Sequence, residues 1–261
     1  MYYYIMEQPK NSSDKNLQTK IRDMVGMQGL AGETSVVSPA RSVEELVDIA
    51  LKKNYSTVVA VGSDKLINKV ASLLHSKDVV LGVIPIKTGQ IINKIIGLDN
   101  FEDACFALKK RYIKVVDLAY LYPGRYFITD AQIESDKPFK VELDVDSAKC
   151  VLEVTNINIV SPAINTQNLN NNNEEQTDNR LNIYISNSSQ EASSLKKFYY
   201  WLNGNKIQDK SNCIFRARKF IINSETPTPV TINGEIVDKT PVIFTTKPKA
   251  LKIITNRVKI V

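Results

Sequence analysis

The sequence predicts an α/β N-terminal domain with a parallel, doubly wound sheet, followed by a mostly antiparallel, β-sandwich-like C-terminal domain. Two observations carry this prediction. Strand and helix patterns alternate through the first 110 residues, and from about Lys114 the apolar segments become short, β-branched and mostly unseparated by helices. We therefore place the domains at residues 1–112 and 113–261. At 261 residues and 43% hydrophobic composition, the chain is long enough to bury a substantial core.

The N-terminal elements follow from local patterns. Tyr2–Met6 predicts a first strand, and Thr57–Val61 is a continuous apolar run, as expected for a strand covered on both faces. Ser42–Glu45 matches a capping box, which opens a helix. A strand over 79–84 and helices over 66–74 and 91–96 complete the βαβ alternation.

The C-terminal half is predicted from its β-branched runs. They lie at residues 115–121, 139–145, 150–159, 181–185, 214–222, 230–232, 242–246 and 251–254. The stretch 165–179 is rich in Asn and Gln, and we predict a disordered loop there.

Several function classes are disfavoured by composition. The three cysteines, Cys105, Cys150 and Cys213, are widely spaced, so they indicate neither a disulfide framework nor a zinc site, and we predict no protein-built metal site. A hydrolase triad would need the single histidine, His75, which lies at a predicted helix end. No apolar run reaches about 18 residues, and the N-terminus lacks the pattern of a signal peptide, so we expect a cytoplasmic protein.

Charge is distributed unevenly. Residues 130–179 carry ten acidic and three basic side chains, whereas residues 196–261 carry thirteen basic and four acidic ones. The basic segment suits phosphate, nucleic acid or an anionic membrane surface, although solvated strand faces explain it equally well. Because its aromatic residues are not interleaved with basic ones in a stacking pattern, nucleic-acid binding is not expected.

Two strand-to-helix turns carry the chemically informative residues. Gly62-Ser63-Asp64-Lys65 follows the buried strand, and Lys87-Thr88-Gly89 follows the next strand. In an open α/β sheet, ligands bind outside the carboxyl ends of the strands, where helix N-termini offer N–H groups to an anion. An ordinary structural turn at each position is the alternative.

The order of these pieces resembles the diacylglycerol kinase catalytic domain and related bacterial lipid kinases, which share a superfamily with the NAD kinases. Gly62–Leu66 stands where that family has Gly-Gly-Asp-Gly-Thr, and Pro85–Gln90 where it has Pro-x-Gly-Thr-x-Asn. Gln8–Ser12 resembles its Asn-Pro-x-Ser-Gly turn. Near the C-terminus, Asn233–Glu235 resembles its Asp-Gly-Glu, and Pro248–Ile253 its closing strands.

The resemblance implies a two-domain kinase that uses ATP and Mg²⁺. The α/β part would hold the nucleotide, and the β-rich part would receive a lipid hydroxyl at the inner face of a membrane. The residues that it assigns to the nucleotide are Gly62, Ser63, Asp64, Lys65, Lys87, Thr88 and Gly89. The catalytic candidates that it implies are Asp64, Glu235 and Asp130, the last as the base. A homodimer is one assembly that the sequence leaves open.

Departures from the family pattern support an alternative. Ser63, Lys65 and Lys87 replace glycines, and Lys69 stands where the family usually has Glu. A side chain at a glycine position narrows the space in which backbone meets phosphate, although a lysine can also attract it. The helical insert of the second domain is missing. The alternative is a pseudokinase, which binds a nucleotide or a partner without turnover. NAD kinase activity is less favoured, because the closing segment resembles the lipid kinases.

Overall fold

The computed structural model describes residues 1–30, 32–98, 100–146, 148–167, 179–186 and 212–256. The chain forms two compact units. The first comprises Met1–Val116 and the described residues of 164–175 and 249–261, and the second comprises Asp117–Ala163 and the described residues between 176 and 248. The domain limits 1–112 and 113–261 stay a prediction, and most of the predicted loop 165–179 lies outside the described residues.

The first unit is an α/β layer structure. Its strands are β1 (Tyr2–Met6), β2 (Gly32–Val36), β3 (Thr57–Gly62) and β4 (Val80–Pro85), and its helices are α1 (Ser12–Met27), α2 (Val43–Lys52), α3 (Asp64–Leu74), α4 (Gln90–Ile96) and α5 (Phe101–Lys110). The strands are parallel in the order β2-β1-β3-β4. Helices α1 and α5 contact each other, as do α2 and α3. The predicted capping box is present, because Ser42 and Glu45 bond each other's backbone N–H groups.

The register of β3 and β4 positions the two candidate turns. Both strands are buried along their whole length, and their pairing continues to Gly62 opposite Pro85. The chain therefore leaves two adjacent parallel strands at the same level. This is the sheet edge at which ligands bind in open α/β folds.

The second unit is mostly antiparallel. Its strands are the second half of β5 (Tyr112–Tyr122), β6 (Arg125–Phe127), β7 (Asp130–Val145), β8 (Ala148–Val160), β9 (Leu181–Ser186), β10 (Asn212–Ala217), β11 (Lys219–Ser224), β12 (Pro229–Ile232), β13 (Glu235–Lys239) and the first half of β14 (Val242–Thr255). A ladder runs β10-β9-β8-β7-β11-β14, and the β12–β13 hairpin pairs with the start of β7. Together the two units confirm the predicted fold class.

Two strands are longer than the sequence predicts. Strand β7 begins nine residues before Phe139, and its register against β8 shifts between Glu134 and Phe139. Pro138 lies in this shift, where its missing N–H is tolerated. Strand β14 runs unbroken through Lys247–Lys249. The sequence predicts two separate strands here, because these three residues are polar or proline and interrupt the apolar pattern; in the structure they are exposed. No helix in the described part of the chain is long and apolar enough to cross a membrane.

Candidate functional site

The turn after β3 is held by the carboxylate of Glu7, the residue that directly follows β1. Ser63 is the N-cap residue of α3, and its backbone N–H donates to Glu7 Oε2 at 2.8 Å. Its hydroxyl donates to Glu7 Oε1 at 2.9 Å. Both oxygens of one carboxylate thus hold the residue that replaces a family glycine. An anion is favoured at this place, because the first N–H groups of a helix lack partners within the helix.

Glu7 is fixed by its backbone as well as by its side chain. Its N–H donates to Val61 O at 3.0 Å, and its carbonyl accepts from Gln18 Nε2 at 2.6 Å. The adjacent Gly62 has no room for a side chain, because a Cβ there would lie 2.7 Å from Glu7 Oε2 and 2.9 Å from Glu7 Cβ. This glycine is therefore required by the close approach of Glu7.

Asp64 joins the turn after β4 to the turn after β3. Gly89 N donates to Asp64 Oδ2 at 2.7 Å, and Ile86 N donates to Gly62 O at 2.9 Å. A Cβ on Gly89 would lie 2.6 Å from the same Asp64 oxygen. These two hydrogen bonds join the turn after β3 to the turn after β4, so that the two motif segments form one continuous edge of the sheet.

Lys87 and Thr88 are engaged by neighbours in the same unit. Lys87 takes a left-handed backbone conformation (φ +54°), and its Nζ lies 3.1 Å from Asp14 Oδ1. That hydrogen bond, with a second from Lys10 N, holds the pKa of Asp14 below its usual value. The Thr88 hydroxyl donates to Asn93 Oδ1 at 2.7 Å. The polar groups of this second turn are therefore held by side chains from α1 and α4.

The structure brings together the N-terminal candidates but adds residues that the sequence analysis missed. Gly62, Ser63, Asp64 and Gly89 share one hydrogen-bonded edge, and Lys65 is exposed in the first turn of α3. Glu7 and Asp14 were not predicted. Glu7 directly follows a parallel strand adjacent to β3, and that position is a signal that could have identified it. Lys69, which replaces a family Glu, forms an ion pair with Glu44 of α2.

In the second unit, Glu235 follows a tight turn beside the start of β7. Asn233 and Gly234 have positive φ values of 50° and 77°, as a two-residue hairpin turn requires. Glu235 opens β13 and is exposed. Thr129 Oγ1 donates to Asn233 Oδ1 at 3.2 Å, which fixes this turn next to the strand that carries Asp130.

Asp130 is the more desolvated of the two candidate carboxylates of the second unit, since Glu235 is exposed. Gln132 Nε2 donates to its Oδ2 at 2.9 Å, and the Asn158 amide donates to it as well. Burial raises the pKa of Asp130, and these two hydrogen bonds oppose that rise only in part. A carboxyl with a raised pKa is better suited to accept a proton than an ordinary surface aspartate.

The acidic side chains fit a magnesium ion only with help from a phosphate. Within the described ranges, no group of three His, Cys, Asp or Glu side chains is arranged to hold a metal ion. Mg²⁺ in kinase sites is commonly bound through one or two carboxylates together with substrate phosphates. Asp64 is the carboxylate at the joined turns that meets this requirement.

Comparison with known proteins finds one similar family domain and several similar solved structures. Residues 7–121 match the model of the diacylglycerol kinase catalytic domain. A crystal structure described as a diacylglycerol kinase from Bacillus anthracis str. Sterne matches with a TM-score of 0.73 and 15% identity, covering 98% of this chain and 97% of that one. The yeast NADH kinase complexed with NADH matches with a TM-score of 0.55 and 9% identity, covering 98% of this chain and 84% of that one. No curated protein sequence matches significantly.

These findings confirm the resemblance to the diacylglycerol kinase family that the order of the motifs predicts. The match of residues 7–121 supports a kinase-like function, and the solved structures support the fold. The roles of the individual residues stay predictions.

Proposed function

Because residues 7–121 match the diacylglycerol kinase catalytic domain, we propose that this chain transfers the terminal phosphoryl group of ATP to the hydroxyl of a lipid. The observation that carries the proposal is the junction of the two turns. Asp64 accepts a hydrogen bond from Gly89 N, and Gly62 O accepts one from Ile86 N, at the carboxyl ends of adjacent parallel strands.

In this proposal, the joined turns hold the nucleotide phosphates. Gly62 and Gly89 let the carboxylates of Glu7 and Asp64 lie close to the backbone of the two turns, since a Cβ at either position would collide with them. Mg²⁺ would supply neutralisation of the phosphate charge, with Asp64 as its protein ligand. Phosphoryl transfer depends mainly on positioning and electrostatics, so a preformed edge of this kind is suited to it.

The acceptor hydroxyl is assigned to the second unit. Asp130 is our candidate base, because burial raises its pKa toward the range in which a carboxylate accepts a proton readily. Glu235 is the second acidic candidate, close to Asp130's strand in the same unit. The +9 net charge of residues 196–261 favours peripheral contact with an anionic membrane surface.

A transfer assay tests the proposal. The native chain is incubated with γ-labelled MgATP and mixed vesicles of hydroxyl-bearing lipids, and we expect labelled lipid. Asp64→Asn should lower the rate by about 100-fold or more, because displacing a positioning group costs on that order. Asp48→Asn, at an exposed site in α2, is the matched control and should leave the rate unchanged. Equal rates for Asp64→Asn and the native chain would refute the role of Asp64.

A second candidate function is nucleotide binding without turnover. Glu7 already occupies the backbone N–H and hydroxyl of Ser63, and Lys87 is paired with Asp14. A phosphate at the first turn would have to displace a resident carboxylate. This arrangement favours a weakly binding or regulatory nucleotide site.

Thermal unfolding separates the two candidates. A nucleotide at about 100 times its Kd stabilises the folded state by roughly 2.7 kcal/mol. Stabilisation by MgATP, together with no labelled lipid from any vesicle composition, would favour the binding module. Stabilisation by MgATP together with labelled lipid favours the kinase. If neither stabilisation nor labelled lipid is observed, both candidate functions are disfavoured.

A further inference from the structure

One face of the second unit's sheet carries polar side chains, of which Asn156 and Asn158 are buried and the others are half-buried. Side chains alternate between the two faces of a strand, and the core residues Ala131 and Ile133 place Asp130 and Gln132 on the opposite face. The same alternation applies to the flanking core residues of β8 and β9, which are Ile157, Ile159, Ile183 and Ile185. We call this surface the polar face, and its members are Asp130, Gln132, Asn156, Asn158 and Tyr184.

The register places the amides of the polar face in one row. Gln132 on β7 lies opposite Asn158 on β8, and Asn158 lies opposite Tyr184 on β9. Both Gln132 and Asn158 donate to Asp130. The carboxylate is therefore held by one amide of its own strand, β7, and by one of the neighbouring strand, β8, which is more support than an ordinary turn aspartate receives.

Asn158 has one polar atom that this arrangement does not satisfy. Its side chain is buried, with 8% exposure of the residue. A carboxylate only accepts hydrogen bonds, so the amide must present Nδ2 to Asp130 and direct Oδ1 elsewhere. Within the described part of the chain, no group donates to this buried Oδ1.

Such an atom indicates the chemistry of a missing partner. Leaving a buried acceptor without a donor costs about 1–3 kcal/mol, so native proteins seldom do it without a ligand, an ion or a water molecule. The partner must donate a hydrogen bond, and it must tolerate a carboxylate nearby. A hydroxyl group meets both conditions, whereas a phosphate or carboxylate ligand would be repelled.

We infer that Asn158 is a positioning and specificity residue, whose Nδ2 orients Asp130 and whose Oδ1 accepts a hydrogen bond from the hydroxyl of the acceptor lipid. This inference rests on the proposed function, since it names how the second unit recognises the group to be phosphorylated. It assigns to a single amide both the orientation of the base and the recognition of its substrate. An acceptor without a free hydroxyl is discriminated against, because Oδ1 then stays unsatisfied.

The test pairs a change in the protein with a change in the lipid. The two probes are 1,2-dioctanoylglycerol and the dioctanoyl ester of 1,2-propanediol, which lacks only the hydroxyl, each in neutral detergent micelles without nucleotide. Their affinities are measured by titration calorimetry for the native chain, Asn158→Leu and the control Asn156→Leu. Asn156 lies on the same strand and face but opposite Glu134.

We expect removal of the hydroxyl to weaken binding about fivefold or more in the native chain and in Asn156→Leu, and less than about twofold in Asn158→Leu. Equal weakening in all three chains would overturn the inference and would indicate that another group of the protein recognises the hydroxyl. Equal affinity of both lipids for the native chain, or binding of neither, would overturn it without any variant. The comparison of the two lipids on the native chain therefore tests the inference even if Asn158→Leu does not fold.

The outcome is separable from that of the transfer assay. The hydroxyl-dependent difference is read without ATP, so it can be present in a chain that transfers no phosphate. In that case the acceptor site is supported and the kinase proposal fails. Transfer without the difference leaves the kinase proposal intact and removes Asn158 from it.

Discussion

The turns after β3 and β4 leave adjacent strands but are held in different ways. The first turn is fixed from within the sheet, because Glu7 at the exit of β1 binds Ser63 and crowds Gly62. The second turn is fixed by side chains from helices, through Asp64 to Gly89 and Asp14 to Lys87. Ser63 and Lys87, two of the three residues that replace family glycines, are thus each accompanied by an acidic partner. The altered motifs are internally consistent rather than simply degraded.

Alanine substitution at the two glycines is expected to have the largest effect on stability. Gly62→Ala forces a Cβ against Glu7 Cβ and Leu66 Cδ2, and we expect a loss of about 1–3 kcal/mol, typical of overpacking. Gly89→Ala meets only the Asp64 carboxylate, which can rotate away, so the loss should be smaller. Urea denaturation of both variants measures the difference. Equal losses would show that the two turns are equally rigid.

Removal of the Glu7 charge is expected to reveal the anion preference of the first turn. Glu7→Gln keeps a hydrogen-bond acceptor for Ser63 but eliminates repulsion of a phosphate, and MgATP affinity should rise by about tenfold. Glu45→Gln, an exposed capping residue in α2, is the control for a general change in charge. Unchanged or weaker MgATP binding by Glu7→Gln would mean that Glu7 does not compete with phosphate.

The two titrating carboxyls should respond to pH in opposite directions. Burial raises the pKa of Asp130, so its contribution to stability is complete below the ordinary pKa of aspartate and is lost as the pH rises through the raised value. Asp130→Asn should therefore gain stability relative to the native chain as the pH rises through that window. Unfolding free energies measured across pH 3–8 test this. A constant difference would contradict a raised pKa for Asp130.

The smallest effect is expected at Lys87. Its hydrogen bond lowers the pKa of Asp14, so stability from this pair is present above the ordinary aspartate pKa and is lost as the pH falls through the lowered value. Lys87→Ala should shift the Asp14 titration upward in a carbon-detected NMR experiment. Because the pair is exposed, global stability at neutral pH should hardly change. An unshifted Asp14 titration would show that the pair does not persist in solution.

Most of the fold follows from sequence patterns, since periodicity and capping are local. The apolar run at Thr57–Val61 and the capping box at Ser42–Glu45 both correspond to the structure. The start of β7 was missed because charged residues and Pro138 interrupt its alternation, yet backbone pairing with β8 and β12 maintains the strand. Pairing of this kind is a tertiary property, which a single sequence does not encode locally.

The candidate site was predicted less completely. The family motifs identify Asp64 and Gly89, but their partners lie outside the motifs: Glu7 is brought to Ser63 by the parallel pairing of β1 with β3, and Asp14 is brought to Lys87 by helix α1. Asn158 could not have been predicted, because its role depends on Asp130, which lies on the neighbouring strand and 28 residues earlier in the sequence. Motif order predicts where a site lies, whereas its electrostatics depend on residues outside the motifs.

Backbone NMR during a MgATP titration tests the central claim most directly. If the joined turns form the phosphate site, the amide resonances of Ser63 and Gly89 shift together and saturate with one Kd, and Asp64→Asn weakens both responses while Asp48→Asn leaves them unchanged. The account is contradicted if MgATP binds with saturation but the amide signals of Ser63 and Gly89 stay in place.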